Sequence, residues 1–190
     1  MLIAVIRPAL PDNTVVVTGN DWGSVAGLLA LPPLADPNVA YSLHFYDPAE
    51  LTSLAAWNPS LDHAAFAALP FPVADPVSCD AMLPRTNAAS AAAWRYYCAC
   101  RWSEGTIDAT FTRVAEWARH NDAWVLLGEF GATTHLNRPA RLAWLAAVRR
   151  AAAGQGFGWA LWGYDDVMGF DARPGGSLDE GTLKTLDLGQ

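Results

Sequence analysis

Charge is scarce in this 190-residue chain: 16% of its residues are Asp, Glu, Lys or Arg, and the formal net charge is -7. That balance argues against a protein whose main work is gripping nucleic-acid phosphates, which calls for a basic surface. Long apolar runs are lacking too. No stretch approaches the ~20 residues of a membrane span, so no membrane partner is expected. The opening stretch, MLIAVIRPALPDN, has only a few apolar residues before Arg7 and Pro8 and no basic leading region. It is a poor signal peptide and reads better as the tail of a helix that starts upstream.

Cysteine is sparse. Cys79, Cys98 and Cys100 are the three, and an odd count leaves at least one thiol outside any intrachain pair. Cys98 and Cys100 are two apart and would not face each other on a helix. A bridge from Cys79 to one or the other stays open. No Cys-x-x-Cys spacing or nearby His cluster supports a zinc site, and no cofactor is expected. Internal repeats are missing, as is low complexity beyond a richness in alanine. Hydrophobic residues make up 52% of the chain, which places it among globular rather than disordered proteins, as one domain over residues 1–190.

Strand signals recur along the chain. NTVVVTG (13–19), VAYSLHFY (39–46), AWVLLGEFG (123–131) and GFGWALWGY (156–164) are apolar with little alternation, the pattern expected of parallel strands covered on both faces. Helical segments lie between them. In TIDATFTRVAEWARHN, Ile107, Phe111, Val114, Ala115 and Ala118 fall near helical spacing. RPARLAWLAAVRRAAAG begins with Pro139 in its first turn and ends at Gly154, a helix start and stop. DEGTLKTLDLGQ reads as a final short helix. Residues 47 to about 106 form a long excursion rich in Pro and Ala, with one expected helix in NAASAAAWRYYCACRW; so long a connection implies a functional insertion rather than plain loop. Strands alternating with helices give an α/β fold on a parallel sheet. A complete eight-unit (β/α)8 barrel takes ~250 residues, more than this chain offers.

Three strand ends carry polar or aromatic chemistry: SLHFYDP, GEFG and WALWGYDD. In this order they resemble the last part of the family-5 glycoside hydrolases, the cellulase and mannanase group of retaining barrel enzymes. In that family a His-x-Tyr pair ends strand six, Gly-Glu-Phe/Tyr-Gly ends strand seven and a Trp ends strand eight. VVVTGNDW is similar to strand five, ending near Trp22. All four in order cover most of the chain. The resemblance implies half of a (β/α)8 TIM barrel, strands five to eight, with polysaccharide or oligosaccharide as substrate. It implies Glu129 as the nucleophile of a retaining endo-β-1,4-glucanase, forming a glycosyl-enzyme. Tyr46 would hydrogen-bond that carboxylate and favour its ionised form. His44 would line the same subsite, and Trp162 would be the platform under the sugar ring.

The departure from the family pattern is equally specific. The family's acid/base sits in Asn-Glu-Pro after strand four, and this sequence contains no Asn-Glu pair. The chain is expected to open within helix four, so that the general acid is cut away. A four-strand half has two open edges, and two copies related by a two-fold axis would close a barrel, so a homodimer is expected. Asp165 or Asp166 of the second copy would then come near the mouth as a substitute acid. A polysaccharide substrate implies export of a longer precursor.

Among nine tryptophans, Trp117, Trp124, Trp144 and Trp159 fall within helix or strand patterns and are expected in the core. Trp94 and Trp102, in the excursion, are either core or partner-facing. Trp22, Trp57 and Trp162 remain as sugar-stacking residues. His135 is read as a loop residue, Asp21 and Asp47 as turn formers at strand ends, and His63 and His120 as surface. The function expected is cellulose-type hydrolysis. Its rivals are mannan hydrolysis and a truncated barrel that folds and binds glycan without turnover.

Overall fold

The computed structural model describes residues 2–172 and 175–188. Four strands, β1 (Val15–Thr18), β2 (Val39–Phe45), β3 (Trp124–Phe130) and β4 (Gly158–Leu161), form one sheet in the order β1-β2-β3-β4. Every neighbouring pair is parallel. Consecutive strands are adjacent, and helices fill the connections, as in a (β/α) repeat.

Two long helices cover one face of the sheet. Glu104–His120 starts at a capping box in which the Ser103 side chain accepts from the Thr106 N–H and the Thr106 hydroxyl accepts from the Ser103 N–H. Its buried residues are Ile107, Phe111, Val114, Ala115 and Ala118, the stripe that the sequence spacing predicts. Arg138–Gly154 is capped by Asn137, whose side chain accepts from the Ala140 N–H. The core between helices and sheet is aromatic. The Phe45 and Trp144 rings stack with centroids 6.0 Å apart, and Phe111 meets Phe45 edge-on at 5.2 Å. The Trp144 indole N–H also donates to the Asp47 carbonyl at 3.0 Å, which ties the core to the chain leaving β2.

The opposite face of the sheet is open, and this corrects the expectation of strands covered on both sides. On β2, Val39, Tyr41, Leu43 and Phe45 point under the helices and are buried, while Ala40 and His44 are only half-buried on the other side. On β1 the exposed residues are Val16 and Thr18, and on β4 they are Gly158 and Ala160. Trp124, expected in the core, is 80% exposed on this face. The unbroken apolar strands therefore carry a bare apolar face that no helix covers among the described residues.

The excursion is a packed layer rather than loose loop. Short helices at Ala49–Thr52, His63–Phe66 and Pro76–Ala81 lead to the helix Ala88–Ala99. A disulfide joins Cys79 to Cys98, one of the two pairings left open by the sequence, and Cys100 is free and exposed. Trp94 is fully buried, its indole N–H donating to the Cys79 carbonyl, and Trp102 packs half-buried on the core. Hydrogen bonds from Thr133 N–H to the Thr52 carbonyl, and from the Asn137 side chain to the Ala67 and Leu69 carbonyls, fasten this layer to the segment after β3.

Candidate active site

The C-terminal ends of parallel strands collect the polar residues, because their loops rise there from a fixed sheet. His44 lies near the end of β2, Tyr46 just beyond it and Glu129 near the end of β3. The sheet register places His44 beside Glu129.

A one-residue irregularity aims Glu129. Leu43 pairs with Leu127, but His44 pairs with Glu129, so β3 carries an extra residue, Gly128. The same offset shows against β4, where Leu127 pairs with Trp159 and Phe130 with Leu161. Alternation from the fully buried Leu127 would send residue 129 under the helices, because successive side chains change face. The bulge resets that count and turns Glu129 to the open face with His44, while Phe130 returns to the core. Only glycine fits at the bulge: a Cβ on Gly128 would overlap the Ser42 hydroxyl oxygen. Gly128→Ala is therefore expected to cost about 1–3 kcal/mol through overpacking and to misalign Glu129. The Ser42 Cβ lies at 3.5 Å, an ordinary contact, so adding Ser42→Ala should restore most of the loss. Urea denaturation of the single and double variants checks this; no rescue would mean that the clash lies elsewhere.

A hydroxyl and a ring nitrogen face one oxygen. The Tyr46 hydroxyl donates to Glu129 Oε2 at 3.2 Å, and His44 Nδ1 lies 3.4 Å from the same atom. Burial pushes the Tyr46 phenol well above its ordinary value, and the negative charge of Glu129, the hydrogen bond to it and the charge of Asp166 push the same way. Tyr46 thus stays a protonated donor at neutral pH. The chain after β1 supports His44 from below. It turns through left-handed conformations at Asp21, Trp22 and Gly23, and a Cβ on Gly23, at φ +74°, would sit 3.1 Å from the His44 ring. Trp22 projects from this turn, 91% exposed.

Trp162 follows β4 and extends its pairing, its N–H donating to the Phe130 carbonyl at 2.8 Å. Its ring is 47% exposed. The loop beyond folds back on the β3 end: Ala132 N–H donates to the Met168 carbonyl and Thr134 N–H to that of Val167, both at 2.9 Å. Asp165 and Asp166 sit exposed in this loop, and Asp166 Oδ1 accepts from the Met168 N–H. Trp57, 65% exposed, stands on the excursion between two of its short helices. His135 is exposed in the loop after β3, and His120 is exposed at its helix end. His63 is half-buried with Nδ1 against the Leu54 carbonyl.

Three residues near the site escaped the sequence reading. Asp47 looked like a turn former, yet desolvation holds its carboxyl above the ordinary range despite an exposed rim, and Asp21 adds to the effect. Tyr164, two residues after Trp162, is a further exposed ring. Arg141 is buried in the helix Arg138–Gly154. It donates to the Ala132 carbonyl at 2.7 Å, to the Thr182 hydroxyl at 3.0 Å and to the Gly169 carbonyl, joining the loops after β3 and β4. Arg141 also lines a cavity of about 720 Å³, shared with Arg138, Phe170 and Asp179, that none of Glu129, Tyr46, His44 and Trp162 reaches. At the strand ends, Glu129, His44 and Tyr46 are half-buried and Trp162 is exposed.

The strand-end pattern has a known home. The model of the cellulase family, glycosyl hydrolase family 5, matches residues 1–166. The chain belongs to glycosyl hydrolase family 5. Among curated family relatives, Endoglucanase 3 of Fibrobacter succinogenes is 26% identical over 195 aligned residues, covering 99% of this chain and 29% of that protein. A hyperthermophilic endo-β-1,4-glucanase solved in complex with substrate is 25% identical, with a TM-score of 0.72 over 98% of this chain and 51% of that one. Endoglucanase Cel5A of Thermotoga maritima shares the fold at a TM-score of 0.74, with 19% identity and 51% of its length covered. The chain thus spans about half of these family-5 barrels, and its parallel sheet of four strands is the matching half of the (β/α)8 fold.

Proposed function

We propose that this chain bears the nucleophile of a retaining endo-β-1,4-glucanase, with Glu129 as that nucleophile. The observation that carries the reading is the convergence of Tyr46 and His44 on Oε2 of a carboxylate turned onto the open face. Both contacts use Oε2, which leaves Oε1 to attack. In the first step Oε1 bonds to the anomeric carbon as the glycosidic C–O bond breaks, and the leaving oxygen takes a proton from an acid. In the second, water attacks the same carbon and gives its proton to the acid's conjugate base, while Glu129 leaves as carboxylate. Tyr46 holds the carboxylate in place by its hydrogen bond, and His44 is positioned for a sugar hydroxyl. Trp162, Trp22 and Trp57 offer exposed rings for pyranose faces. Asp165 and Asp166 are the substitute acids; of the two, Asp166 is the one whose charge registers at Tyr46.

Two observations keep other readings in view. Asp166 is held by a backbone N–H within its own loop, which favours slow turnover or a glycan-binding fragment without any. A Thermotoga maritima Cel5A structure contains mannotriose, which favours mannan as a second substrate. Assays on soluble cellulose, mannan and xylan with Glu129→Gln and Trp162→Ala separate them. The expected result is slow hydrolysis of soluble cellulose abolished by Glu129→Gln, and loss of sugar affinity by about 1–3 kcal/mol in Trp162→Ala, the scale of an aromatic stacking platform. Hydrolysis unaffected by Glu129→Gln would end the assignment.

A further inference from the structure

Tyr46 reaches Glu129 from just beyond the sheet. β2 pairs with β3 as far as Phe45, so Tyr46 lies outside the ladder. Its backbone is held instead by the next turn of chain, the short helix Ala49–Thr52. The Thr52 hydroxyl donates to the Tyr46 carbonyl at 2.5 Å. The Pro48 carbonyl, four residues back, is the acceptor that a threonine hydroxyl in a helix ordinarily takes, but it stands at 3.3 Å. A hydroxyl has one proton to give, and the shorter contact takes it. Thr52 is fully buried, where polar groups need partners within the protein. Its branched Cβ restricts the side chain to few rotamers, which fixes the direction of the hydroxyl.

The same residue holds the other partner. The Thr52 carbonyl accepts from the Thr133 N–H at 2.8 Å. Thr133 is itself buried, on the segment that leaves β3 just after Glu129. These contacts close a ring. It runs from the Tyr46 hydroxyl to Glu129 Oε2 at 3.2 Å, along the chain to Thr133, across to Thr52 and back to Tyr46. The Trp144 indole N–H on the Asp47 carbonyl ties the ring to the core.

We propose that Thr52 is a positioning residue that sets the reach of Tyr46 to Glu129. Its hydroxyl holds the Tyr46 carbonyl, and its own carbonyl holds the end of the Glu129 strand. Without the hydroxyl, the Tyr46 carbonyl turns toward another donor, and a turn at the root of the side chain swings the phenol at its tip. The bond at 3.2 Å is already longer than the about 2.5–3.0 Å of most O–H···O bonds, so a small swing loses it. The consequence for catalysis rests on Glu129 being the nucleophile; the geometry does not.

Tyrosines labelled with carbon-13 at Cζ read the phenol's hydrogen bond with no substrate present. The chain has five; Tyr46→Phe identifies the signal of Tyr46, and Glu129→Gln shows where it moves when the charged acceptor is lost. Thr52→Val keeps the branched shape and drops the hydroxyl. It is expected to move the Tyr46 signal toward its Glu129→Gln position while the buried Tyr41 and Tyr97 stay put, and Thr52→Ser is expected to leave all three unmoved. On a dinitrophenyl β-cellobioside, Thr52→Val should slow the burst of phenolate about 2- to 10-fold, the scale of one hydrogen bond's net contribution. In a Tyr46→Phe chain it should slow the burst no further, because both changes remove the same contact. A Tyr46 signal that stays in place in Thr52→Val overturns the proposal. So does a displacement shared by Tyr41 and Tyr97, which marks general loosening, or equal slowing in both backgrounds. If Thr52→Val does not fold, Thr52→Ser decides: a displaced Tyr46 signal in that chain overturns the proposal and an unmoved one upholds it. A wild type without a burst ends the nucleophile reading, and Thr52 is then judged on the carbon signal alone.

Discussion

Given a dinitrophenyl β-cellobioside, the chain is expected to release phenolate in a burst equal to its concentration of sites and then to slow sharply. The reason is the division of labour between the two carboxyls of a retaining glycosidase. The acid is needed to protonate a poor leaving group, and the nucleophile is needed whatever leaves. Dinitrophenolate departs with its electron pair and needs no proton, so the first step requires only that Glu129 Oε1 bond to the anomeric carbon. With the Asn-Glu of the family absent, the rate on this substrate should exceed that on an unactivated cellobioside by far more than the difference in leaving group explains. General acid catalysis contributes about 10²–10⁴-fold. The second step has only a substitute carboxyl such as Asp166, held in its own loop by the Met168 N–H, to activate water, so it is slow and the glycosyl-enzyme accumulates. Azide, an anion that needs no deprotonation, should attack the same carbon, yield a glycosyl azide and restore steady turnover. Glu129→Gln should show no burst with or without azide, while Tyr46→Phe, which loses the donor to Oε2, should slow the burst without removing it. Intact-mass measurement during the burst gives a second readout, an added cellobiosyl group on Glu129. A burst that survives Glu129→Gln, or an adduct on another residue, would sink the nucleophile assignment, whatever the oligomeric state.

Most of the fold could be read from the sequence because its elements are locally consistent. The helix Glu104–His120 shows its apolar stripe and its cap, and Arg138–Gly154 its Asn cap, its Pro and its terminal Gly. Each strand lies inside a quoted apolar run. What was not legible depends on contacts between elements. Trp124 has the sequence surroundings of a core strand residue, but it points to the sheet face that no helix covers among the described residues. The direction of Glu129 could not be counted from alternation, because the bulge at Gly128 shifts the count by one; a glycine inside a strand pattern is the available hint of such a bulge. The resemblance to family 5 named Glu129, Tyr46 and His44 without that geometry, and the register shows how they meet. Cys79 could be paired with Cys98 only after the helix Ala88–Ala99 turned Cys98 inward and left Cys100 exposed. Arg141 did leave a trace: it falls on one helical stripe with Trp144, Leu145, Val148 and Ala152, all buried. A cation on the buried stripe of a helix is a query that only its partners can answer.

Arg141→Met should be among the most destabilising single changes in the chain. Its guanidinium is buried and donates in three directions: to the Ala132 carbonyl after β3, to the Gly169 carbonyl after β4 and to the Thr182 hydroxyl of the short helix Glu180–Thr185. Burial lowers its pKa, while Asp179 and Asp171 pull the other way; an arginine remains charged through the neutral range regardless. Removing it leaves acceptors without donors in a dry place, and each such loss costs about 1–3 kcal/mol. Even at the low end the sum is about 3 kcal/mol, a large part of the 5–15 kcal/mol that holds a domain together. Lysine keeps the charge but not the planar fork, so Arg141→Lys should recover only part of the loss. The damage should be directed as well as global. The Trp162 loop touches the Glu129 strand end through the Met168 and Val167 carbonyls, which accept from the Ala132 and Thr134 N–H groups, and a Cβ on Gly131 would sit 2.6 Å from the Met168 carbonyl. With Arg141 gone, that close packing loses its clamp, and hydrogen exchange at Ala132, Thr134 and Trp162 should rise before exchange at the start of β2. Chemical denaturation gives the total and exchange gives the order. A change below about 1 kcal/mol, or a uniform rise in exchange across the sheet, would show that Arg141 fills space without joining the two loops.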